Sequence, residues 1–554
     1  MLIRGIEMNK KITVLFFVLC LGINFSIVSA SVNFKNEKTD NINQTQEHVF
    51  SDSYIIQWEM NYGSDEGYGA RYEGPQPIGD CDNDGKNEIL IAGRDNKIRV
   101  FEWDETKHTY LEMRTLFPPL YPYVDTDAGG FAIGDLDGDG KNEIGATWGT
   151  SVHKFINGKY KTIAYNPWIF DNFGGSADCY IGDYDNDGEN ELIVSGGSYM
   201  QSSVPEIVIY KLNSLGLTKE AEWDNPDDGY TYVYMPGVGD IDDDGENEIV
   251  CGSWLKVFAL DWKKDTKQFD ETVITSTTKY DYPFACVIKD SDGDGKNEIH
   301  VGYQSPKISI FEWNGASYEI KFEKEWPGEG AVIEGVDVGD VDDDGNAEVC
   351  VGTDVVHIMQ WDGTTYIEEA VLPTYGDLAV VSIGDCDNDG KNEINAGSVM
   401  IDHGQDYMYW VYKYDLEPQK NDNGKRGTGS LKVTVEGGAL GKTLKDASVA
   451  AWNLETKTWY DIQPDKFLKT PYTRNDLPEG QYLLRALMEG YQVKEDTITI
   501  NTGQETSYTF SLKPTSESKS ITFNYQSNAF FIKQILMKIF DDIPFFTKFL
   551  QLKI

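Results

Sequence analysis

Seven segments of one pattern recur through the middle of the chain: IGDCDNDGKNEI, IGDLDGDGKNEI, IGDYDNDGENEL, VGDIDDDGENEI, IKDSDGDGKNEI, VGDVDDDGNAEV and IGDCDNDGKNEI. Their first aspartates lie 55, 48, 57, 50, 50 and 45 residues apart. A period near 50 restricts the chain to architectures in which one supersecondary unit stacks on the next, either propellers or solenoids. Each period holds four short β-rich runs. In the fourth these are TYVYMPGVGD, EIVCGSW, KVFALDW and FDETVITS. Four strands per repeat, seven times, predict an all-β chain built on a seven-bladed β-propeller. A β-solenoid, the alternative, usually has shorter and more uniform rungs.

Ring closure separates the two. The seventh repeat supplies AVVSIGD, EINAGSV and YMYWVYKYD, then runs into a polar stretch without a fourth strand. Ahead of the first repeat stands an orphan run, SYIIQWEM at 53–60, similar to the fourth-strand run SYEIKFEKEW of repeat five. The orphan is expected to complete the last blade and leave no open edge.

Each acidic loop reads D-x-D-x-D-G-x-x-E. Side-chain oxygens at positions 1, 3, 5 and 9, with a backbone carbonyl at 7, can wrap a hard cation, and glycine at 6 permits the sharp turn. Position 4 is Asn83, Gly138, Asn186, Asp243, Gly293, Asp343 or Asn388, the types that tolerate positive φ. The expected ligands are Asp80, Asp82, Asp84 and Glu88 with the carbonyl of Lys86, then Asp135, Asp137, Asp139 and Glu143 with Lys141. Asp183, Asp185, Asp187 and Glu191 follow with Glu189, and Asp240, Asp242, Asp244 and Glu248 with Glu246. The last three sets are Asp290, Asp292, Asp294 and Glu298 with Lys296, Asp340, Asp342, Asp344 and Glu348 with Asn346, and Asp385, Asp387, Asp389 and Glu393 with Lys391. The other reading is a set of solvated acidic turns. One loop could be that; seven complete copies favour up to seven Ca²⁺ sites. Mg²⁺ suits the pattern less, because it prefers a rigid octahedron with several waters.

These repeats resemble the FG-GAP, or VCBS, repeats of integrin α-subunit propellers and many secreted microbial proteins, over roughly residues 50–416. The resemblance implies that each loop joins the first and second strands of a blade and binds calcium through its three aspartates and its ninth residue. The family often has aspartate in the ninth place, where this chain has glutamate throughout. Integrin function does not carry over, since neither an inserted metal-dependent adhesion domain nor a transmembrane helix after the propeller is visible.

The flanking segments differ. Residues 1–30 read as a signal peptide: Arg4, Lys10 and Lys11, then an apolar run, then Val28-Ser29-Ala30. Residues 31–50 read as a flexible lead and 51–416 as the propeller. A linker, 417–428, leads to 429–514, where Leu431, Val433 and Val435, then Ile498 and Ile500, alternate with polar residues. The stretch NDLPEGQYLLRALMEGY there resembles the carboxypeptidase regulatory-like, transthyretin-like β-sandwiches, which act as spacers or adhesion modules. Residues 515–554 carry apolar clusters around Phe531, Ile535 and Ile539, and around Phe545, Phe546 and Phe549. Too many charges interrupt them for a membrane span, so a short amphipathic helical segment is expected, docking on a membrane surface, an envelope partner or its own sandwich. Cys81, Cys179, Cys251, Cys286, Cys350 and Cys386 are dispersed through apolar runs and read as buried thiols.

The formal net charge of -44 is repelled by phosphate backbones and argues against nucleic-acid binding. No catalytic constellation is visible: the six histidines share no motif, and no serine sits in a nucleophile elbow. The connections between blades are rich in aromatics, including Tyr123, Trp168, Tyr230 and Tyr282, which suit stacking on sugars or contact with protein. The expectation is a secreted or surface-attached, monomeric calcium-binding propeller that recognises a glycan or an extracellular protein. The alternative is a calcium-dependent, lyase-like polysaccharide-active enzyme on the same scaffold.

Overall fold

Short β-rich runs separated by turns leave few ways to satisfy backbone groups other than antiparallel hairpins, and the computed structural model is built from them. It describes residues 51, 53–63, 76–93, 97–119, 130–166, 174–198, 205–225, 233–278, 281–329, 332–374, 376–400, 406–415, 427–438, 441–465 and 469–515. No helix occurs among these residues. Residues 1–50 and 516–554, which hold the expected signal peptide and C-terminal helical segment, lie outside them, as do residue 416 and 417–426 of the linker.

Six four-stranded sheets follow one another in sequence order, each a meander. In the fourth, Tyr234–Gly239, Glu248–Gly252, Lys256–Lys263 and Gln268–Ser276 pair in turn. In the fourth blade burial falls from the second strand to the fourth. The second strand, EIVCG, is wholly buried, whereas the fourth is mostly exposed or half-buried. A run without polar interruption suits a strand covered on both faces.

The seventh set borrows its outer strand. Asp377–Gly384, Glu393–Met400 and Tyr407–Tyr414 come from the end of the repeat region, and Tyr54–Gly63 pairs antiparallel with the last of them, Tyr54 opposite Tyr414 and Gly63 opposite Tyr407. The orphan strand therefore closes the ring as its sequence predicts. Between blades the inner strands touch through a small residue against a branched one. A Cβ on Gly134 would lie 2.6 Å from Ile181 of the next blade, and one on Gly384 would lie 3.0 Å from Ile78 of the first. The second contact joins the two ends of the ring. In the fifth blade Lys289 replaces this glycine and reaches forward instead, donating to the carbonyl of Val338 at 2.8 Å and pairing with Asp337 at 2.6 Å.

The third-strand tryptophans are packing residues. Trp103, Trp262, Trp313 and Trp361 lie against Tyr110, Phe269, Tyr318 and Tyr366, the residues opposite them on the fourth strands, with ring centroids 4.8–5.0 Å apart. All six cysteines outside residues 1–50 are buried free thiols.

The region after the repeats forms a two-sheet sandwich. In one sheet Thr428–Gly437 lies between Tyr472–Pro478 and Glu505–Leu512. Leu431, Val433, Val435, Ile498, Ile500, Phe510 and Leu512 all enter one core, as their alternation predicts. The second sheet does not end at the sandwich. Its edge strand Thr458–Asp461 pairs in parallel with the closure strand, Glu59 opposite Thr458 and Asn61 opposite Tyr460, so blade seven and the sandwich share one eight-stranded sheet. Trp459 donates its indole N–H to the carbonyl of Tyr110 at 3.1 Å in the first blade. Arg474 binds the side chain of Asn61 at 2.6 Å and the carboxylate of Asp406 at 3.1 Å. The described residues of the propeller and the sandwich thus form one compact unit.

Candidate metal centres

Every acidic loop spans the turn between the first and second strands of its blade, as the resemblance implies. The local conformation follows from the residue types. Position 6 is glycine with φ between 81° and 96° in all seven, and position 4 also has positive φ, from 59° at Asn186 to 75° at Gly293. Two hydrogen bonds recur around each turn. The N–H of the glycine donates to the first aspartate, at 2.8–3.1 Å from Gly85 to Asp80 through to Gly390 to Asp385. The N–H of residue 7 donates to the fifth-position aspartate at 2.8–3.1 Å.

Together these bonds fold the carboxylates inward. In the first loop Asp80, Asp82, Asp84 and Glu88 each place an oxygen within 4.8 Å of the others. The second, third and fourth loops gather Asp135, Asp137 and Glu143, then Asp183, Asp185 and Glu191, then Asp240, Asp242 and Glu248; the fifth gathers Asp290, Asp292 and Asp294. The ninth-position glutamate is the buried member. In six loops its Oε2 is held by the N–H of residue 2, for example Cys81 to Glu88 at 2.9 Å. Glu88 is only 1% exposed, and its Oε1 has no hydrogen-bond partner. Glu191 lacks a hydrogen-bond partner on both oxygens. Burial raises the Glu88 carboxyl to about 8 and that of Glu191 to about 9, with neighbouring aspartates adding to the rise. A buried carboxylate with an unpartnered oxygen is costly unless a cation meets it. The donor set is all oxygen and of high charge, which fits a hard divalent ion such as Ca²⁺.

Some loops already receive a cation from the chain. Lys154 sits 2.8 Å from Asp137, 2.8 Å from Asp139 and 2.6 Å from Glu143. Lys413 makes the corresponding three contacts in the seventh loop, and Lys211 reaches Asp187, Glu189 and Glu191 in the third. In the sixth, Gln360 bridges Asp344 and Glu348 at 2.9 Å.

One set of residues escaped the reading of the sequence. Asn87, Asn142, Asn190, Asn247, Asn297 and Asn392, at position 8, each donate a side-chain amide at 2.8–3.0 Å to the carbonyl of the first aspartate in the preceding blade. Where position 4 is asparagine, its oxygen accepts the return bond: the N–H groups of Asn142, Asn247 and Asn87 donate to Asn83, Asn186 and Asn388. The clue was the repeated asparagine before the glutamate, absent only in NAEV of the sixth repeat.

The opposite face carries the blade connections. Tyr282 is half-buried there, within 4.9 Å of Phe284 and 6.0–6.1 Å of Tyr234 and Trp254, ring to ring, between the fourth and fifth blades. Tyr123, Trp168 and Tyr230 lie outside the described residues. Toward the axis, Gln76 of the first blade exchanges two hydrogen bonds with the backbone of Ile181 in the third, at 3.1 and 2.8 Å.

Known proteins bear on this geometry. A family model described as an FG-GAP-like repeat matches residues 80–146, one described as KICSTOR complex protein kaptin matches 265–370, and one described as a PEGA domain matches 466–516. The last covers part of the sandwich that resembles the carboxypeptidase regulatory-like domains. No curated protein matches the chain. Among solved structures, a crystal structure of BBS1N in complex with ARL6DN is similar at 12% identity and TM-score 0.46, over 66% of this chain and 98% of that one. A structure of the Dos1 propeller is similar at 10% identity and TM-score 0.39, over 60% and 77%. The acidic turn between first and second strands, repeated around a closed ring of four-stranded sheets, makes this region a β-propeller, and the repeat-model match over residues 80–146 marks its loops as FG-GAP-like.

Proposed function

We propose that the chain is an exported recognition module whose acidic loops bind Ca²⁺ and whose opposite face contacts a glycan or an extracellular protein. The unpartnered, buried oxygen of Glu88, turned into a cluster of three aspartates, is the observation that carries the metal reading. The three aspartates and the glutamate of each loop would hold the ion. The ion would neutralise the cluster and stiffen the side of the ring where the loops clasp one another. The other side is then free to present its connections, where half-buried rings such as Tyr282 offer apolar faces for stacking. An FG-GAP scaffold of this kind supports recognition or adhesion, and the strongly acidic surface disfavours nucleic acid as a partner. Two measurements test the reading. Calorimetric titration of metal-stripped protein with Ca²⁺ should show binding; a flat titration ends the metal reading. A glycan array probed with the full chain should return hits that Tyr282→Ala weakens. Hits that persist unweakened remove Tyr282 from the reading, and an array without hits removes the glycan.

A further inference from the structure

We propose that the seven loops form a graded set toward Ca²⁺, in which the loops of blades one and four bind tightly and those of blades two, three and seven are self-neutralised by an internal lysine. This rests on the calcium reading above and goes further, because it concerns residues outside the loop motif.

The deciding position lies on the third strand. Ile89 pairs with Phe101, Ile144 with His153, Leu192 with Tyr210, Ile249 with Leu260 and Ile394 with Tyr412. The residue beyond each partner stands across from the ninth-position glutamate. It is Glu102 in blade one and Asp261 in blade four, but Lys154, Lys211 and Lys413 in blades two, three and seven. The three lysines turn into the carboxylates. Lys154 and Lys413 are only 12% and 19% exposed, and each contacts two aspartates and the glutamate of its loop. Lys211 reaches Asp187 at 3.2 Å, Glu189 at 2.5 Å and Glu191 at 3.8 Å. An ammonium group in that place offsets the charge that would attract a divalent ion, and the ion must displace it.

In blades one and four the same position adds negative charge. Glu102 and Asp261 stand across from Glu88 and Glu248 at this register, so their charge faces the loops. Their own lysine partners, Lys86 and Lys263, sit outside at 51% and 42% exposure. Blade five is intermediate. Its third-strand residue is Glu312, but Lys321 from the fourth strand lies 3.3 Å from it, 3.0 Å from Glu298, and against Asp292. Blade six has the neutral Gln360. Charge at this register position, joined in blade five by Lys321, thus sorts loops that the motif alone makes identical.

The test counts bound ions by equilibrium dialysis of the metal-stripped full chain against ⁴⁵Ca²⁺, with circular dichroism confirming the fold. The wild type should show about two tight sites and weaker ones at least tenfold above them. Lys154→Glu/Lys211→Glu/Lys413→Glu should raise the number of tight sites to about five, and Glu102→Gln/Asp261→Asn should weaken the original pair about tenfold. Seven equal sites that neither variant changes would overturn the grading while leaving the calcium reading intact. No binding by the wild type or by either variant would remove the calcium reading and the grading together. If the triple variant fails to fold, the double variant decides: an unweakened pair of tight sites overturns the proposal.

Discussion

The side-chain amide of Asn87 donates to the backbone carbonyl of Asp385 at 2.9 Å, across 298 residues of chain. This bond joins the first acidic loop to the last, and five others repeat it around the ring. The metal candidates and the ring contacts therefore share a backbone: the aspartate that would hold the ion presents its carbonyl to the neighbouring blade. The series has one gap, at Ala347, where the pattern would direct an amide to the carbonyl of Asp290.

Filling that gap should stabilise the ring. A buried or half-buried amide–carbonyl bond contributes about 1 kcal/mol net. Ala347→Asn is expected to raise the unfolding free energy by about 0.5–1.5 kcal/mol, and Asn87→Ala to lower it by about 1–2 kcal/mol because a carbonyl loses its partner. Denaturant melts in saturating Ca²⁺ check both. A destabilised Ala347→Asn protein would mean that the sixth loop cannot accept the clasp.

Removing calcium should lower the melting temperature, and restoring it should bring the temperature back. Each site that binds only the folded state contributes about 2.7 kcal/mol when free ligand is 100-fold above its dissociation constant. Glu248→Gln should weaken one site and leave the others in place, read as one fewer tight ion in a dialysis count. Identical melting curves with and without verified metal would contradict the prediction.

Much of this was readable in advance because the determinants are local. Glycine at position 6 and the residue types at position 4 dictate the turn, and they do so seven times. The closure by residues 53–60 was readable because a missing strand and an orphan strand match. The clasp of Asn87 on Asp385 was not, since its partner is a backbone carbonyl and carries no side-chain signature. The same holds for the sandwich. Alternation predicts its core, Leu431 through Leu512, but nothing in TWYD announces that this strand pairs in parallel with Glu59–Asn61. Lys154 was passed over because its role depends on strand register rather than on the motif.

The shared sheet makes the sandwich more than a spacer. The closure strand has Tyr407–Tyr414 on one side and Thr458–Asp461 on the other, so deleting 427–515 would bare its outer edge. The truncated propeller is expected to aggregate or lose several kcal/mol, as would a chain lacking 51–60. Trp459→Ala alone should cost about 3–5 kcal/mol, since the ring is buried against the first blade and its N–H is satisfied there. Light scattering and denaturant melts provide the readout. A truncated propeller as soluble and stable as the whole chain would show that the parallel pairing is dispensable.

Asp178 supplies a pH dependence separate from the metal loops. It lies in the first strand of blade three, 5% exposed, and the backbone of blade two closes over it: a Cβ on Gly130 would fall 1.9 Å from its Oδ1. Burial raises its carboxyl to about 8, only partly offset by the N–H of Cys179 at 2.8 Å. An unfolded aspartate titrates near about 3.9, so between these values the folded chain keeps a proton that the unfolded chain releases. The stabilising contribution of the protonated form is complete below about pH 4 and is lost as the pH rises through 8. Asp178→Asn keeps the shape and removes the titration. In saturating Ca²⁺, which holds the loop carboxylates charged, the variant should match the wild type near pH 4. As the pH rises to 8 it should come to exceed the wild type by several kcal/mol. Melting temperatures of both proteins from pH 4 to 9 measure this, and curves that stay parallel across the range would show that Asp178 is already ionised in the folded chain.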